Sequence, residues 1–152
     1  MITSGIAGWR STGAKLWIPC YLSYLARAYA ELDQFDEAWR CLDEAMSFSE
    51  ITKERWCQAD MHRIAGEIAL TLPERNEVKA EAYFERALAV SRAQQAKSWE
   101  LRAAMSMARL RRDQGKRQQA HDLLAPVYGW FTEGFDTLDL KEAKALLEQL
   151  KA

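Results

Sequence analysis

The sequence predicts an all-α protein, an array of three helical hairpins followed by a C-terminal capping helix. Three observations carry this. One pattern occurs three times, as Ala38-x-x-x-Leu42-x-x-Ala45-Met46, Ala80-x-x-x-Phe84-x-x-Ala87-Leu88 and Ala120-x-x-x-Leu124-x-x-Val127-Tyr128, with copies 42 and 40 positions apart. A period of that length marks stacked helical units, each burying its apolar face only against its neighbours. A Trp opens the segment upstream of each copy: Trp17, Trp56 and Trp99 precede the small residues Ala26, Gly66 and Ala108 by nine, ten and nine positions. Polar turn residues then separate each upstream segment from its pattern.

The elements follow in order. Met1 to Gly13 reads as the remnant of a preceding helix or repeat: Ile2, Ile6 and Trp9 fall on one helical stripe, which Ser11-Thr12-Gly13 breaks. Residues 14–136 hold the three hairpins, with helices expected near 15–32, 35–51, 54–71, 77–95, 97–114 and 117–131. In the upstream helices, Leu22, Leu25, Ala26 and Tyr29 share a face, then His62, Ala65, Gly66 and Ala69, then Ala104, Met107 and Ala108. In the downstream helices, spacings of three, four and seven put the patterned residues on one stripe. Small residues there let a neighbouring backbone approach, and the larger side chain one turn later fills the groove beyond. The three Trp side chains are expected to anchor one unit against the previous one.

Leu32-Asp33-Gln34-Phe35 and Asp113-Gln114-Gly115-Lys116 are short turns, with Gly115 suited to a left-handed C-cap. Leu72-Pro73-Glu74-Arg75-Asn76 is a longer loop in which Pro73 ends the helix before it. Residues 137–152 form the cap, a helix over 138–151 with Leu140, Ala143, Leu147 and Leu150 on one side. The start of the array looks truncated and without a polar cap, so an exposed apolar end is expected to self-associate or to meet an upstream partner.

Composition narrows the function. The 152 residues fit one domain, and 49% apolar content supports a core. With 21 Lys and Arg against 22 Asp and Glu, the net charge is -1, which gives no general pull toward nucleic acid or membrane. No apolar run has the length of a membrane span, and the first ten residues lack a secretory signal's basic start and apolar stretch. Three cysteines, Cys20, Cys41 and Cys57, without C-x-x-C spacing suit a reduced cytoplasmic protein with buried thiols.

The units resemble tetratricopeptide repeats, which pair two antiparallel helices. The first unit carries the likeness best, through Leu25-Ala26, Tyr29, Asp33, Phe35, Glu37-Ala38, Leu42 and Ala45. The units here are longer, the terminal Pro is missing, and Arg111 stands where an aromatic is usual. Nearly the whole chain also resembles the C-terminal repeat region of large bacterial proteins that carry a nucleotide-cyclase domain, a predicted ATPase domain and then helical repeats. The segments that carry it are Gly8-Trp9-Arg10-Ser11-Thr12-Gly13-Ala14, residues 54–67 from Glu54 through Arg55-Trp56-Cys57 to Gly66-Glu67, Ser98-Trp99-Glu100-Leu101-Arg102-Ala103-Ala104, and Tyr128-Gly129-Trp130-Phe131-Thr132-Glu133-Gly134-Phe135-Asp136-Thr137. Neither catalytic core is present, so the resemblance implies an interaction or regulatory region, not an enzyme.

Candidate chemistry is sparse. Gly8-x-x-x-x-Gly13-Ala14-Lys15 departs from a phosphate-binding loop, because Ala14 intervenes before the Lys, Leu16 follows it and no strand precedes. Cys57 and His62, five apart on a helix, point about 140° from each other, which suits neither a metal site nor a nucleophile pair. Asp33, Asp36 and Glu37 are accounted for by a turn and a helix N-terminus. The basic run Arg109, Arg111, Arg112, Lys116 and Arg117 is either a solvated face paired with Asp113 and Asp122 or a dock for an anion or acidic peptide.

The expected function is a protein–protein interaction scaffold whose concave face is built by the first helix of each pair. Tyr21, Tyr24, Arg63, Arg102, Arg109, Arg111 and Arg112 are the candidate partner-binding residues. A protein or peptide partner is expected, with no nucleic acid, membrane, metal or cofactor. The alternatives are a regulatory region that controls a cyclase or ATPase domain, and a structural homo-oligomer joined through the exposed N-terminal end.

Overall fold

The computed structural model describes residues 2–13 and 15–151. Its described residues form eight helices and no strand: α1 (Ile2–Ser11), α2 (Ile18–Glu31), α3 (Phe35–Thr52), α4 (Gln58–Thr71), α5 (Glu77–Ala93), α6 (Lys97–Asp113), α7 (Arg117–Gly129) and α8 (Leu138–Lys151). The protein is a helical hairpin array with a C-terminal capping helix. Hairpins α2–α3, α4–α5 and α6–α7 stack so that α2, α4, α6 and α8 are successive neighbours, while α3, α5 and α7 each pack back onto the next first helix. The second helices meet through side chains such as Trp39 and Tyr83, stacked with ring centroids 6.0 Å apart. None of the helices is long and apolar enough to cross a membrane among the described residues.

The repeated pattern is the core of this stack. Ala38, Leu42 and Ala45 on α3, Ala80, Phe84 and Ala87 on α5, and Ala120 and Leu124 on α7 are all 0% exposed. Opposite them, Ala26, Gly66 and Ala108 are buried on α2, α4 and α6. Small residues on the first helices bring backbones together, and the branched or aromatic residues of the second helices occupy the space created. Gly66 is the tightest case, because a Cβ there would lie 2.4 Å from Phe84 Cε1.

The connections use one device repeatedly. Asp33, Gln95 and Gly115 have φ of 57°, 54° and 78°. The next residue's N–H donates back across each helix end, Gln34 to Tyr29 O (2.9 Å), Ala96 to Ser91 O (2.9 Å) and Lys116 to Arg111 O (2.8 Å). These are Schellman closures, which satisfy carbonyls the helix leaves open. The loop with Pro73 differs as expected: Leu72 takes ψ 147°, the extended geometry Pro imposes on its predecessor. Asn76 then caps α5 by accepting from Lys79 N–H at 2.9 Å.

Two helix starts fall later than the sequence predicts. The helix expected from residue 15 begins at Ile18, because Trp17 is left-handed (φ 73°) and Pro19 occupies the first turn. The helix expected from residue 54 begins at Gln58, after a left-handed Lys53 and a turn closed by Gln58 N–H to Arg55 O. The Trp side chains also differ from deep anchors. Trp17 is 42% exposed and packs edge-on against half-buried Trp56 at 4.5 Å, which does join the first two units. Trp99 instead lies under the Arg102 guanidinium, 5.1 Å from its ring centre. Of the expected N-terminal stripe, Ile6 is buried and Trp9 exposed, and the Ile2 side chain lies outside what the structure describes.

Candidate functional site

Alignment of the first helices brings one position per unit to a common face. The residue after each small residue, Arg27 on α2, Glu67 on α4 and Arg109 on α6, lines a single cleft of about 320 Å³. Arg63, Arg102 and Ser106 complete its floor, and α8 closes it with Asp139 and Glu142. The concave face is therefore built by α2, α4, α6 and α8.

The cleft is rich in charge, and its charges are matched. On α4, Arg63 is 9% exposed and donates through Nε to Asp60 (2.7 Å) and through Nη1 to Glu67 (2.6 Å). Burial pulls the Arg63 pKa down, but Glu67 and Asp60 outweigh it and the net shift is upward. Ser106 Oγ on α6 donates to Glu67 Oε1 at 3.0 Å, which ties the second unit to the third. Between α6 and α8 the pairing forms a ladder: Arg102 with Asp139 (2.7 Å), Arg109 with Glu142 (2.9 Å) and Arg112 Nη1 with Gln149 Oε1 (2.9 Å). Arg27 pairs along its own helix with Glu31 at 3.3 Å. Arg102 and Arg109 keep 37% and 40% of their side-chain surface exposed, so both can still meet a ligand from solvent.

The sequence-predicted site residues divide accordingly. Arg63, Arg102 and Arg109 come together in the cleft. Tyr21 does not: it lines a separate hollow with Gly5, Ile6 and Trp9, its ring 6.3 Å from the Trp9 ring. Tyr24 does not line the cleft either; burial first, then the nearby Cys20 and Asp60 charges, push its pKa up to about 12. Arg112 faces α8 and also pairs with Asp113 at 3.0 Å. Arg111 is half-buried, and its Nε has no hydrogen-bond partner among the described residues. Lys116 and Arg117 are exposed at the start of α7. Within the basic run Arg112 pairs with Asp113 as expected, whereas Asp122 takes Gln118 Nε2 at 2.7 Å and contacts His121.

Sequence reasoning missed Arg27, Glu67 and the two α8 acids at the cleft, Asp139 and Glu142. The signal for the first two was available in the repeat register, one place beyond Ala26 and Gly66. At the phosphate-loop likeness, Gly8 sits inside α1 and Gly13 is left-handed (φ 74°), with Ala14 outside the described residues. The described residues contain no group of three or more His, Cys, Asp or Glu placed to share a metal ion. No protein-family model matches the chain, and no curated protein matches it.

Proposed function

We propose that this chain is a protein–protein interaction scaffold of the tetratricopeptide-repeat type, and that its cleft takes an acidic segment of a partner protein. One observation supports this above the rest: Arg102 and Arg109 already hold carboxylates presented by a helix, those of α8, and remain more than a third exposed. Arg is suited to such sites because its planar fork accepts carboxylates with defined geometry. An incoming acidic segment would share or displace Asp139 and Glu142, so binding is expected to be weak and salt-dependent.

The test is fluorescence anisotropy with labelled Glu-rich peptides and Gln-substituted controls. The Glu-rich peptide should bind in the micromolar range, and the Arg102→Glu/Arg109→Glu variant should weaken it by about tenfold or more. Equal binding of Glu and Gln peptides, or unchanged affinity in the variant, removes the cleft as the site.

A second reading, a homo-oligomer joined through the N-terminal end, is supported by the exposed Trp9, Leu16, Trp17, Tyr21 and Tyr24 gathered there. Light scattering over a concentration series should then show mass rising with concentration, and a Trp9→Ser/Trp17→Ser variant should stay monomeric. A wild-type chain that is monomeric throughout rejects this reading.

A further inference from the structure

The cleft already has an occupant. The side chains of α8 that reach α6 lie on one edge of that helix: Asp139, Glu142 and Gln149 follow at spacings of three and seven. They meet Arg102, Arg109 and Arg112 of α6 in the same order, so the two helices run parallel along this seam. The chemistry of the three rungs follows the cleft. Arg102, Arg109, Asp139 and Glu142 all line it. Arg112 and Gln149 do not. There α8 offers a neutral amide, and Arg112 takes its carboxylate from Asp113 on its own helix at 3.0 Å. On this seam α8 thus places carboxylates only where the arginines open on the cleft.

Those carboxylates are not what holds α8 in place. Leu140, Ala143, Leu146, Leu147 and Leu150 are all buried and fasten the helix through apolar packing. The ion pairs add little to this, because both stay open to water: Asp139 and Glu142 keep 30% and 45% of their side-chain surface exposed.

We propose that α8 is a built-in competitor for the cleft: Asp139 and Glu142 stand in for a partner's carboxylates, lower the affinity of the site, and set the spacing that a partner must match. This rests on the reading of the cleft as a docking site for acidic segments.

A carboxylate tethered to the same chain is present at a fixed, high effective concentration. One carboxylate from solution exchanges with it for no gain in contacts, so a lone acidic residue or a free acid anion is kept out. A segment that delivers two carboxylates together replaces both pairs in one event. The spacing follows from the occupant. Asp139 and Glu142 are three positions apart on a helix, which sets neighbouring side chains about 5–6 Å apart. The partner is therefore a helix-forming segment with acids three positions apart on one face, Glu-x-x-Glu. Glu142 is the member that yields first. It is the more exposed of the two and lies past the first turn of α8, whereas Asp139 also gains from the helix N-terminus.

The test is fluorescence anisotropy with labelled Ala-rich peptides whose two Glu stand three apart, stand two apart, or are replaced by Gln. Residues two apart on a helix do not face the same way. The proteins are wild type, Glu142→Gln, Asp139→Asn/Glu142→Gln, and Glu148→Gln, which removes an exposed acid of α8 outside the cleft. The Glu-x-x-Glu peptide should bind the double variant about tenfold more tightly than wild type and Glu142→Gln about threefold, since each exposed pair that need not be broken contributes a few-fold. Glu148→Gln should match wild type, and the peptide with Glu two apart should bind several-fold more weakly throughout. Affinities within about twofold of wild type in both cleft variants, with Glu still preferred to Gln, would overturn the competitor role and leave the cleft as the docking site. An equal gain in Glu148→Gln would overturn it too, because net charge alone would then account for the effect. Equal binding of the two Glu spacings would overturn α8 as the template. If no Glu peptide exceeds its Gln control in any of the proteins, the docking reading itself fails and this inference with it. Circular dichroism checks the helix content of each variant, and the single exposed substitution Glu142→Gln decides should the double variant unfold.

Discussion

Gly66→Ala is expected to destabilise the array by about 2 kcal/mol, although an Ala in an exposed helix interior would normally gain about 1 kcal/mol over Gly. The reason is local. The added methyl would lie 2.4, 2.7 and 3.0 Å from Cε1, Cδ1 and Cζ of Phe84. Phe84 is 0% exposed and sits among Ala69, Ala80, Ala87 and Leu101, so its ring has nowhere to swing. Relief requires α4 and α5 to part, and that costs packing along the whole hairpin.

The repeat itself suggests the compensation. Where the second unit has Gly66 and Phe84, the first has Ala26 and Leu42 and the third has Ala108 and Leu124, all buried. A small step up in volume on one helix is matched by a step down on the other. Phe84→Leu alone should cost about 1–2 kcal/mol through the cavity it leaves beside Gly66. The Gly66→Ala/Phe84→Leu double variant should then lie within about 1 kcal/mol of wild type, a favourable coupling of neighbours. Urea denaturation of the four proteins measures this. Additive losses in the double variant would show that the two side chains do not share the space.

This pairing also shows what the residues made legible. Ala38, Leu42 and Ala45 and their two copies could be placed on a buried stripe because helix period and repeat period reinforce each other, and all three copies are buried. The turns at Asp33 and Gly115 were legible for the same reason. The helix starts at Ile18 and Gln58 were not, since the left-handed Trp17 and Lys53 that delay them are not residue types that favour that conformation. The cleft was half legible. Arg63, Arg102 and Arg109 follow from the first helix of each pair facing inward. That α8 lies beside α6 as a fourth first helix, and so delivers Asp139 and Glu142 to those arginines, depends on tertiary packing that no local pattern states. Tyr21 illustrates the opposite error: it is exposed on a first helix, yet α1 lies beside it and turns that side into a separate hollow.

Arg63→Met should be the most damaging polar substitution in the protein, with a loss of about 3–5 kcal/mol at neutral pH. Met keeps much of the volume, so the loss is electrostatic. Asp60 is 2% exposed, and its Oδ2 has no hydrogen-bond partner among the described residues even in wild type. Among the described residues, the only cation bonded to it is Arg63, through Nε at 2.7 Å. Without that cation, a carboxylate is stranded unpaired in the interior. Replacing both partners, as Arg63→Met/Asp60→Leu, should recover most of the loss, because no uncompensated charge remains. Denaturant titrations of the three chains at pH 7 decide it: a loss below about 1 kcal/mol in Arg63→Met would mean that Asp60 finds solvent once Arg63 is gone.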